Sequence, residues 1–451
     1  MAIAGFTRIQ VLERLYEVSS ASQPIHSPER LFGRDAELEK LEDALHAPGR
    51  HAFIYGERGV GKSSLAHSVA CQVQSSDNSP ILVTAGPTAT LVSILRDVHA
   101  QAQASCRAST VRVDKVSVGI AGLKYESQWQ AEQQRLEVND IGSALLMLNQ
   151  LSTWHSTRPV VVIDEFDTIE SSAEREMFGT LLKHLGDARS GVKLIFTGIG
   201  DSLNSLIGGH LSSTRQLHQV SLERLNWDGR YQIIDSVMEA FGLQLPDEIR
   251  FRMAGMSDGF PSYIHLMAEN IVLAAHRADR VVESIDFDLF LIALDESVKS
   301  ALETWRDGYD KATLGRPEHM AHLLWAAADS ADHIRQTQHI EHSYSSICES
   351  LHVEPLGDAE FKREFAKLRK PSHGEILQRG LANRPGWFGF SESMMRGLVR
   401  MQAQLNGIVV DFERHFVSNT TTVKATAKHG YYQPLTQTEA NVARLRREPT
   451  Y

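Results

Sequence analysis

Short apolar runs alternate with stretches of helical periodicity over the first half of the chain. The runs that predict β-strands are HAFIYG (51–56), PILVTAG (80–86), RPVVVID (158–164), GVKLIFTGIGD (191–201) and HQVSLERL (218–225). The stretches between them place apolar side chains three or four positions apart, as Leu65, Val69 and Val73 do. Strands that alternate with helices form parallel sheets with helices on both sides. The pattern therefore predicts an α/β domain with a five-stranded parallel sheet.

A different pattern fills the interval between the second and third strands. In STVRVDKVSVGIAGLKYES (109–127), Val111, Val113 and Val116 lie at near-alternate positions. Alternation predicts a β-hairpin inserted into the domain, with a helix over residues 127–151 after it. The modest charge of the hairpin favours a packing or oligomer contact, while contact with DNA or a substrate chain stays open as an alternative.

The last third of the chain predicts helices followed by strands. Residues 320–334, 338–357 and 358–370 have apolar side chains at helical spacing. Two short strands are predicted within 374–391, around a turn rich in Gly, Asn and Pro. Three helices and a hairpin are the order of a winged helix. From about residue 407 the sequence is polar without sustained periodicity, which predicts a partly flexible tail.

Composition narrows the class of protein without indicating a function. The 451 residues exceed the roughly 250–300 at which single cores stop growing, so we expect several domains. No apolar run approaches the roughly 18 residues of a membrane span, and the first residues lack a signal-peptide core. Three widely spaced cysteines (Cys71, Cys106 and Cys348) predict neither a disulfide framework nor a metal site. We therefore expect a cytoplasmic protein that contacts no membrane.

The segment between the first strand and the following helix matches the phosphate-binding pattern G-x-x-x-x-G-K-[ST]. Its residues are Gly56, Glu57, Arg58, Gly59, Val60, Gly61, Lys62, Ser63 and the adjacent Ser64. Glycines allow successive backbone N–H groups to turn toward a phosphate, and the helix amino terminus adds partial positive charge. Lys62 supplies a mobile cation for the β- and γ-phosphates, and the Ser63 hydroxyl is a ligand for Mg²⁺. The motif predicts a nucleotide triphosphate site.

The third strand supplies the acidic half of such a site. Val160 to Ile163 form a continuous apolar run, as expected for a parallel strand buried on both faces. Asp164 follows at the carboxyl end, where it is positioned to hold Mg²⁺ directly or through water. Glu165 is positioned to polarise the attacking water. An acidic cluster that binds metal without nucleotide is disfavoured, because Mg²⁺ prefers phosphate partners.

Five segments together resemble the AAA+ ATPases, and within them the bacterial ORC-like group related to origin-recognition initiators. They are LFGRDAELEKLEDAL (31–45), the phosphate loop, DEFD (164–167), the strand ending near Thr197, and SDGFPSYIHL (257–266). The resemblance is strongest over residues 25–300. It implies a phosphate-loop AAA+ core with a helical lid, followed by an α+β winged-helix domain, and it implies ATP and Mg²⁺ as ligands.

The resemblance also implies roles for individual residues. Gly33 and Arg34 match the segment that frames the adenine, and Pro261, in the Gly-x-Pro turn of the lid, matches a residue at the nucleotide. Thr197 matches the polar sensor that positions the hydrolytic water together with Glu165. Arg215 matches an arginine finger that reaches the γ-phosphate of a neighbouring subunit, although an ordinary surface arginine is the alternative.

One feature departs from the family pattern. A second sensor arginine often follows the Gly-x-Pro turn of the lid, but here Ser262 and Tyr263 follow Gly259-Phe260-Pro261. Arg252 is the nearest lid arginine and lies upstream of the turn. The departure puts efficient hydrolysis in doubt and favours a slow switch. Signal-transduction ATPases with numerous domains (STAND) have the same gap.

A basic set in the last third is the candidate surface for DNA. With a formal net charge of -10, any contact with nucleic acid requires such a local patch. Its members are Lys362, Arg363, Lys367, Arg369 and Lys370 on or just past the third helix, with Arg379 and Arg384 in the wing. A helix of this kind fits a major groove while the wing meets phosphates. Interspersed acids make the patch only moderately basic, so protein docking remains open.

These observations predict five segments along the chain and leave three hypotheses for its function. The segments are an N-terminal extension (1–27), an AAA+ ATPase core (28–225), a helical lid (226–314), a winged-helix-like domain (315–406) and a C-terminal tail (407–451). The leading hypothesis is a homo-oligomeric ATPase with nucleotide at subunit interfaces, which binds duplex DNA through the winged helix. The main alternative is a STAND-like signalling or phage-defence switch that docks an effector protein. A catalytically inactive ATP-binding scaffold is the third.

Overall fold

The computed structural model describes residues 5–19, 31–74, 78–113, 138–200, 215–301, 303–380 and 385–415. Five parallel strands form the main sheet, in the order β2-β3-β4-β1-β5. They are β1 (His51–Tyr55), β2 (Ile81–Thr84), β3 (Val160–Asp164), β4 (Lys193–Gly198) and β5 (Leu217–Ser221). This arrangement confirms the predicted α/β fold.

Alternate side chains of the central strands point into two separate hydrophobic clusters, one on each face of the sheet. Phe53 and Phe196 belong to one cluster, and Ile54 and Ile195 to the other. The helices that cover the faces are α2 (Asp35–His46), α3 (Lys62–Val73), α4 (Leu91–Val113), α5 (Ile141–Trp154) and α6 (Ser172–Asp187). Burial on both faces explains why β3 reads as a continuous apolar run.

The register of the strands brings their carboxyl ends to one edge. Tyr55 of β1 is opposite Gly198 of β4, and Ile163 of β3 is opposite Phe196 of β4. The phosphate-binding motif after β1, the acids after β3 and Thr197 near the end of β4 therefore share this edge. Ligands bind at this edge in open parallel sheets.

Four helices after the sheet form the lid, and the first described helix packs against them. The lid helices are α7 (Trp227–Ala240), α8 (Asp247–Met256), α9 (Pro261–Arg277) and α10 (Phe287–Ser300). The first helix, α1 (Arg8–Val18), buries Val11 and Leu15 in the same core. Arg14 of α1 donates a 3.1 Å hydrogen bond to the carbonyl oxygen of Ala240 in α7.

The C-terminal region, residues 315–414, has the element order predicted for a winged helix. After α11 (Glu303–Thr313) come α12 (His319–Ala328), β6 (Arg335–Gln336), α13 (Thr337–Ser350), α14 (Asp358–Lys367), β7 (Leu377–Arg379), β8 (Trp387–Phe390) and α15 (Met395–Leu405). The three strands form an antiparallel sheet in the order β6-β8-β7. Beyond α15, the side chains of Ile408, Val410 and Phe412 are buried in the core.

The predicted inserted hairpin differs from the structure where the two overlap. Helix α4 continues to Val113, so residues 109–113 are helical, because the helix that covers β2 extends into them. The remainder of the 109–127 segment lies outside the described residues. The helix predicted over 127–151 begins at Ile141 in the described part of the chain, capped by the Asp140 side chain. Over the described ranges, no helix is long and apolar enough to cross a membrane.

Candidate nucleotide site

The phosphate-binding motif forms a loop between β1 and α3 whose glycines are required by its geometry. Gly59 and Gly61 have φ angles of 85° and 97°, a backbone conformation that residues with a Cβ rarely adopt. A Cβ at Gly56 would lie 2.3 Å from the carbonyl oxygen of Leu222. Arg58 is exposed at the tip of the loop, and Ser64 is half-buried in the first turn of α3. The backbone therefore has the shape that the motif predicts.

The ammonium group of Lys62 lies inside this loop. Its Nζ donates to the carbonyl oxygens of Gly56 at 3.0 Å and Glu57 at 2.8 Å. Burial lowers the pKa of Lys62, and the carboxylates of Asp167 and Asp164 offset part of that shift. The cation is thus held where a phosphate would enter, on two neutral acceptors that a phosphate can replace.

Asp164 joins the phosphate loop to the end of β4. The Ser63 hydroxyl donates to Asp164 Oδ1 at 3.0 Å, and the Thr197 hydroxyl donates to the same oxygen. Thr197 is only 1% exposed, so its hydroxyl has a fixed position. The three residues come from three different segments, yet one carboxylate oxygen connects them.

Glu165 adopts an unusual backbone conformation beside this carboxylate. Its φ angle is 53°, in the left-handed region that non-glycine residues seldom occupy. Its backbone N–H donates to the Thr197 hydroxyl at 3.0 Å, and its side chain is exposed at the sheet edge. Residues held in such conformations cluster at functional sites. The turn directs Glu165 away from the buried strand that precedes it.

The oxygen donors fit a Mg²⁺ ion that is held together with phosphates. Ser63 and Asp164 supply a hydroxyl and a carboxylate within hydrogen-bonding distance of each other. Within the described ranges, no group of three or more His, Cys, Asp or Glu side chains is arranged to hold a metal. Mg²⁺ is usually bound by one or two protein ligands plus substrate phosphates, so this sparse donor set is the expected one.

The residues predicted to frame the adenine lie next to the loop. The Arg34 guanidinium donates to the carbonyl oxygens of Val60 at 3.1 Å and Glu223 at 2.5 Å. Burial lowers the pKa of Arg34, and the nearby Glu37 carboxylate partly offsets it. Arg34 therefore connects the phosphate loop to the segment after β5, and its side chain is 5% exposed.

Gly33 and Pro261 bring the lid close to the core. Gly33 has a φ of 67°, and a Cβ there would lie 2.8 Å from Cα of Gly229 in α7. Pro261, the first residue of α9, has its Cγ 3.9 Å from the position that a Cβ of Gly61 would take. The starts of α7 and α9 are thus in contact with, or adjacent to, the nucleotide side of the core.

Arg215 is the one predicted catalytic residue that lies elsewhere. It is exposed and precedes β5, at the amino end of a strand whose carboxyl end is beside the phosphate loop. Its own phosphate loop is therefore at the opposite edge of the sheet. An ordinary surface arginine and a residue that acts toward another subunit both fit this position.

The candidate DNA-contacting side chains of α14 are largely paired with acids. Lys362 pairs with Asp358 at 2.6 Å, Arg363 with Glu360 at 2.8 Å and Lys367 with Glu364 at 2.6 Å. The hydrogen bond from Lys367, with those from Arg363 and His319, lowers the pKa of Glu364 to about 2, against a smaller opposing effect of burial. The charge of this helix is mostly compensated locally.

The remaining candidates differ in their surroundings. The Arg369 guanidinium lies 4.9 Å from the centre of the Phe388 ring. Lys370 and Arg379 are exposed, and neither forms an ion pair with any residue in the described part of the chain. Arg384 lies outside the described residues.

Sequence reasoning missed a second set of charged residues beside the loop: Arg224, Asp258, Arg396 and Arg400. Asp258 has a φ of 54° and directly precedes the Gly-x-Pro turn. Arg396 and Arg400 are four positions apart in the same helix, and both are almost fully buried. That spacing was the available signal, since buried arginines require a partner.

The comparisons with known proteins agree with this geometry. Residues 30–195 match the family model described as an AAA ATPase domain. No curated protein matches the sequence. Among solved structures, the Walker-type ATPase PABY2304 of Pyrococcus abyssi has a TM-score of 0.50 at 15% identity, over 84% of this chain and 99% of that one.

Two further structures are similar at lower scores. The Aeropyrum pernix ORC2 protein gives a TM-score of 0.46 at 16% identity, covering 87% of this chain and 98% of its own. Cdc6p of Pyrobaculum aerophilum gives 0.44 at 15% identity, covering 85% and 98%. At these identities the similarity concerns the fold alone. The family match locates the similarity to AAA ATPase domains in residues 30–195, the part of the chain that holds the phosphate loop and β3.

Proposed function

We propose that the chain binds ATP with Mg²⁺ and hydrolyses it to ADP and phosphate, using the nucleotide state as a switch. The observation that carries the proposal is the single edge at which Lys62, Ser63, Asp164, Glu165 and Thr197 meet. Phosphoryl transfer needs compensation of the phosphate charge, ligation of the metal and activation of the attacking water. Lys62 would supply the first, Ser63 and Asp164 the second, and Glu165 with Thr197 the third.

Binding begins with the loop and its lysine. The N–H groups of the loop and the amino end of α3 attract the phosphates. Lys62 then exchanges the carbonyl oxygens of Gly56 and Glu57 for anionic phosphate oxygens, which are stronger acceptors. Ser63 and Asp164 would hold Mg²⁺, which neutralises phosphate charge when bound.

Hydrolysis requires a base beside the γ-phosphate. The Glu165 carboxylate accepts a proton from the attacking water, whose oxygen forms a bond to the γ-phosphorus while the bond between that phosphorus and the β–γ bridging oxygen breaks. ADP and inorganic phosphate are the products. Thr197 fixes the backbone of Glu165 through its 3.0 Å hydrogen bond and fixes Asp164 through its hydroxyl proton. The shared threonine keeps the two carboxylates in a constant relative position.

Assembly would complete the site. The exposed Arg215 lies at the edge of the sheet opposite its own loop, so it would act on nucleotide bound by a neighbouring copy. A nucleotide-dependent homo-oligomer follows from this arrangement. The absence of an arginine immediately after Pro261 favours slow turnover, so the bound state would persist long enough to act as a signal.

The C-terminal region would carry the output, and two partners are considered. Duplex DNA is the first candidate, since α14 and the β7–β8 wing have the element order of a DNA-binding winged helix and present Lys370 and Arg379. An effector protein is the second. The ion pairs of Lys362, Arg363 and Lys367 favour it, because they reduce the charge available for phosphates.

The test is the solution mass of Glu165→Gln by light scattering, with ATP and Mg²⁺, with and without duplex DNA at two salt concentrations. An oligomer that enlarges on DNA and dissociates from it at high salt supports the DNA-binding form of the proposal. An oligomer that ignores DNA supports the effector-docking form. A chain that neither binds ATP nor changes its mass contradicts the proposal in both forms.

A further inference from the structure

The first helix, α1, is held on the lid at both ends. Near its amino end, the carbonyl oxygen of Phe6 accepts a hydrogen bond from Nε2 of His276 at 3.0 Å. The Phe6 ring also packs edge-on against Phe241, with 6.1 Å between the ring centres. At the carboxyl end, the Ser19 hydroxyl donates to Oε1 of Glu269 at 2.7 Å. With the hydrogen bond from the middle of α1 to α7, these contacts make the helix an integral part of the lid.

The outward side of α1 is apolar although the helix is already packed. Val11 and Leu15 are buried in the lid core. On the other side, Ile9, Leu12 and Tyr16 are 68%, 47% and 75% exposed. Because they are three and four positions apart, these three side chains lie in one row, which we call the apolar stripe. Exposed apolar residues scattered singly are ordinary, whereas a continuous row indicates an interaction surface.

Opposite charges border the apolar stripe on its two sides. A heptad repeat places Ile9 and Tyr16 at position a and Leu12 at position d. Arg8 is then at position g and Glu13 at position e. Both are exposed, and neither forms an ion pair with any residue in the ranges that the structure describes. In a parallel pair of helices, a g residue lies beside the e residue five positions later in the partner, so two copies of α1 would form this ion pair twice.

We propose that α1 pairs in parallel with α1 of a second copy of this chain, with the two apolar stripes in contact. A second copy fits because the stripe and its bordering charges are complementary to themselves. The contact joins the same surface on both copies, so it differs from the head-to-tail contact through which Arg215 would reach a neighbouring nucleotide. Pairing through α1 therefore needs no nucleotide. Three apolar residues on each side bury little area, so the pair is weak and depends on protein concentration.

Disulfide formation tests the pairing, because a parallel pair in register brings each position of the stripe beside its own copy. Leu12→Cys is introduced into the full chain together with Cys71→Ser, which removes the exposed native thiol. Mild oxidation without nucleotide should give a covalent dimer at least about fivefold faster than Glu17→Cys in the same background. Glu17 is the matched control, since it is exposed on the same helix but lies off the stripe. Equal rates for the two variants would overturn the pairing.

Charge reversal tests the parallel orientation. Arg8→Glu and Glu13→Arg each place like charges beside one another in the pair, so each should weaken the dimer about tenfold in sedimentation equilibrium. The double variant exchanges the two signs and should recover the affinity of the wild type. Arg and Glu are both good helix formers, so α1 itself should be preserved in all of these chains. Failure of the double variant to recover dimer affinity would contradict the parallel pair.

The concentration dependence of the mass identifies any other occupant of the stripe. The wild type without ATP should show a monomer–dimer equilibrium at concentrations up to about 100 µM. A monomer over this whole range would overturn the proposal. Slow alkylation of the Leu12→Cys thiol would then indicate a segment of the same chain on the stripe, and rapid alkylation a different partner protein. None of these variants changes a residue of the phosphate loop, so ATP binding remains a separate test of the proposed function.

Discussion

The Ser63 hydroxyl donates a 3.0 Å hydrogen bond to Oδ1 of Asp164, although 101 positions separate the two residues. Ser63 lies in the first turn of α3, which follows β1, and Asp164 ends β3. Strand β4 lies between β1 and β3, so the contact spans the carboxyl edge of the sheet. The bond unites the phosphate loop with the acidic segment. It is the structural reason for treating the two motifs as one site.

Replacement of Glu165 by Gln should separate binding from turnover. The amide cannot accept the proton of water, so phosphate release should fall by about 10²–10⁴-fold while ATP affinity is retained. Phosphate release and ATP titration on the same preparation check this. Glu170→Gln, at another exposed acid of the same loop, is the control and should retain activity. Undiminished turnover in Glu165→Gln would assign the base to another group.

If Arg215 acts on a neighbouring subunit as proposed, Arg215→Ala should bind ATP normally and fail to hydrolyse it. Mixing this variant with Glu165→Gln provides a sharper measurement. An intact Glu165 and an intact Arg215 would then meet at mixed interfaces, and the mixture should recover phosphate release that neither variant has alone. Arg50→Ala, exposed at the same end of the sheet, is the matched control. If the mixture does not recover phosphate release, Arg215 is not an arginine finger.

Basic side chains without an ion pair in the described part of the chain should contribute more to DNA binding than those that are paired with acids. Lys370→Ala and Arg379→Ala should each weaken duplex binding and reduce its salt dependence by roughly one counterion. Lys362→Ala should have a smaller effect, because its charge is already opposed by Asp358. Fluorescence anisotropy over a series of salt concentrations measures this. Equal affinity for duplex DNA in all variants would contradict DNA binding through this surface and favour an effector protein as the partner.

Asp258 should make a large contribution to stability. Asp258→Asn retains a side chain that tolerates the positive φ but leaves buried arginines unpaired, which should cost about 3–5 kcal/mol of unfolding free energy. Asp235→Asn, whose pair with Arg250 is partly exposed, should cost less than about 1 kcal/mol. Urea unfolding compares them. Similar costs for the two variants would contradict this larger contribution of Asp258.

The difference in unfolding free energy between the wild type and Asp258→Asn should change with pH in one direction. Burial alone would raise the pKa of Asp258, but the guanidinium groups of Arg396, Arg400 and Arg224 outweigh it and hold the pKa well below its ordinary value. The stabilisation is therefore complete above the ordinary Asp pKa of about 3.9 and is lost as pH falls below it. The advantage of the wild type over Asp258→Asn should be constant at neutral pH and shrink in acid.

Local pattern was sufficient to predict the sheet and the shape of the loop between β1 and α3. The apolar runs have the length of buried strands, and the loop glycines have positive φ angles because the motif needs them. The resemblance paired Thr197 with Glu165, and the backbone N–H of Glu165 donates to the Thr197 hydroxyl. In each case the relevant information lies within a short segment whose geometry is nearly independent of the rest of the chain.

Contacts between distant segments were beyond the reach of such reasoning. The ion pair between Arg224 and Asp258 joins residues 34 positions apart. The contact of Met394 with Gly59 depends on how the C-terminal region packs, which no local periodicity records. Residues 109–113 resembled a strand because their valines alternate, but they form the last part of α4.

The central claim is that Lys62 and its loop bind nucleotide, and isothermal titration with ATP and Mg²⁺ tests it most directly. We expect Glu165→Gln to bind ATP, and the same variant with Lys62→Ala added to bind at least about 100-fold more weakly, since the phosphates lose a charged donor. Lys40→Ala, at an exposed lysine of α2, should bind like the parent. Equal affinity with and without Lys62, in folded protein, would contradict the account.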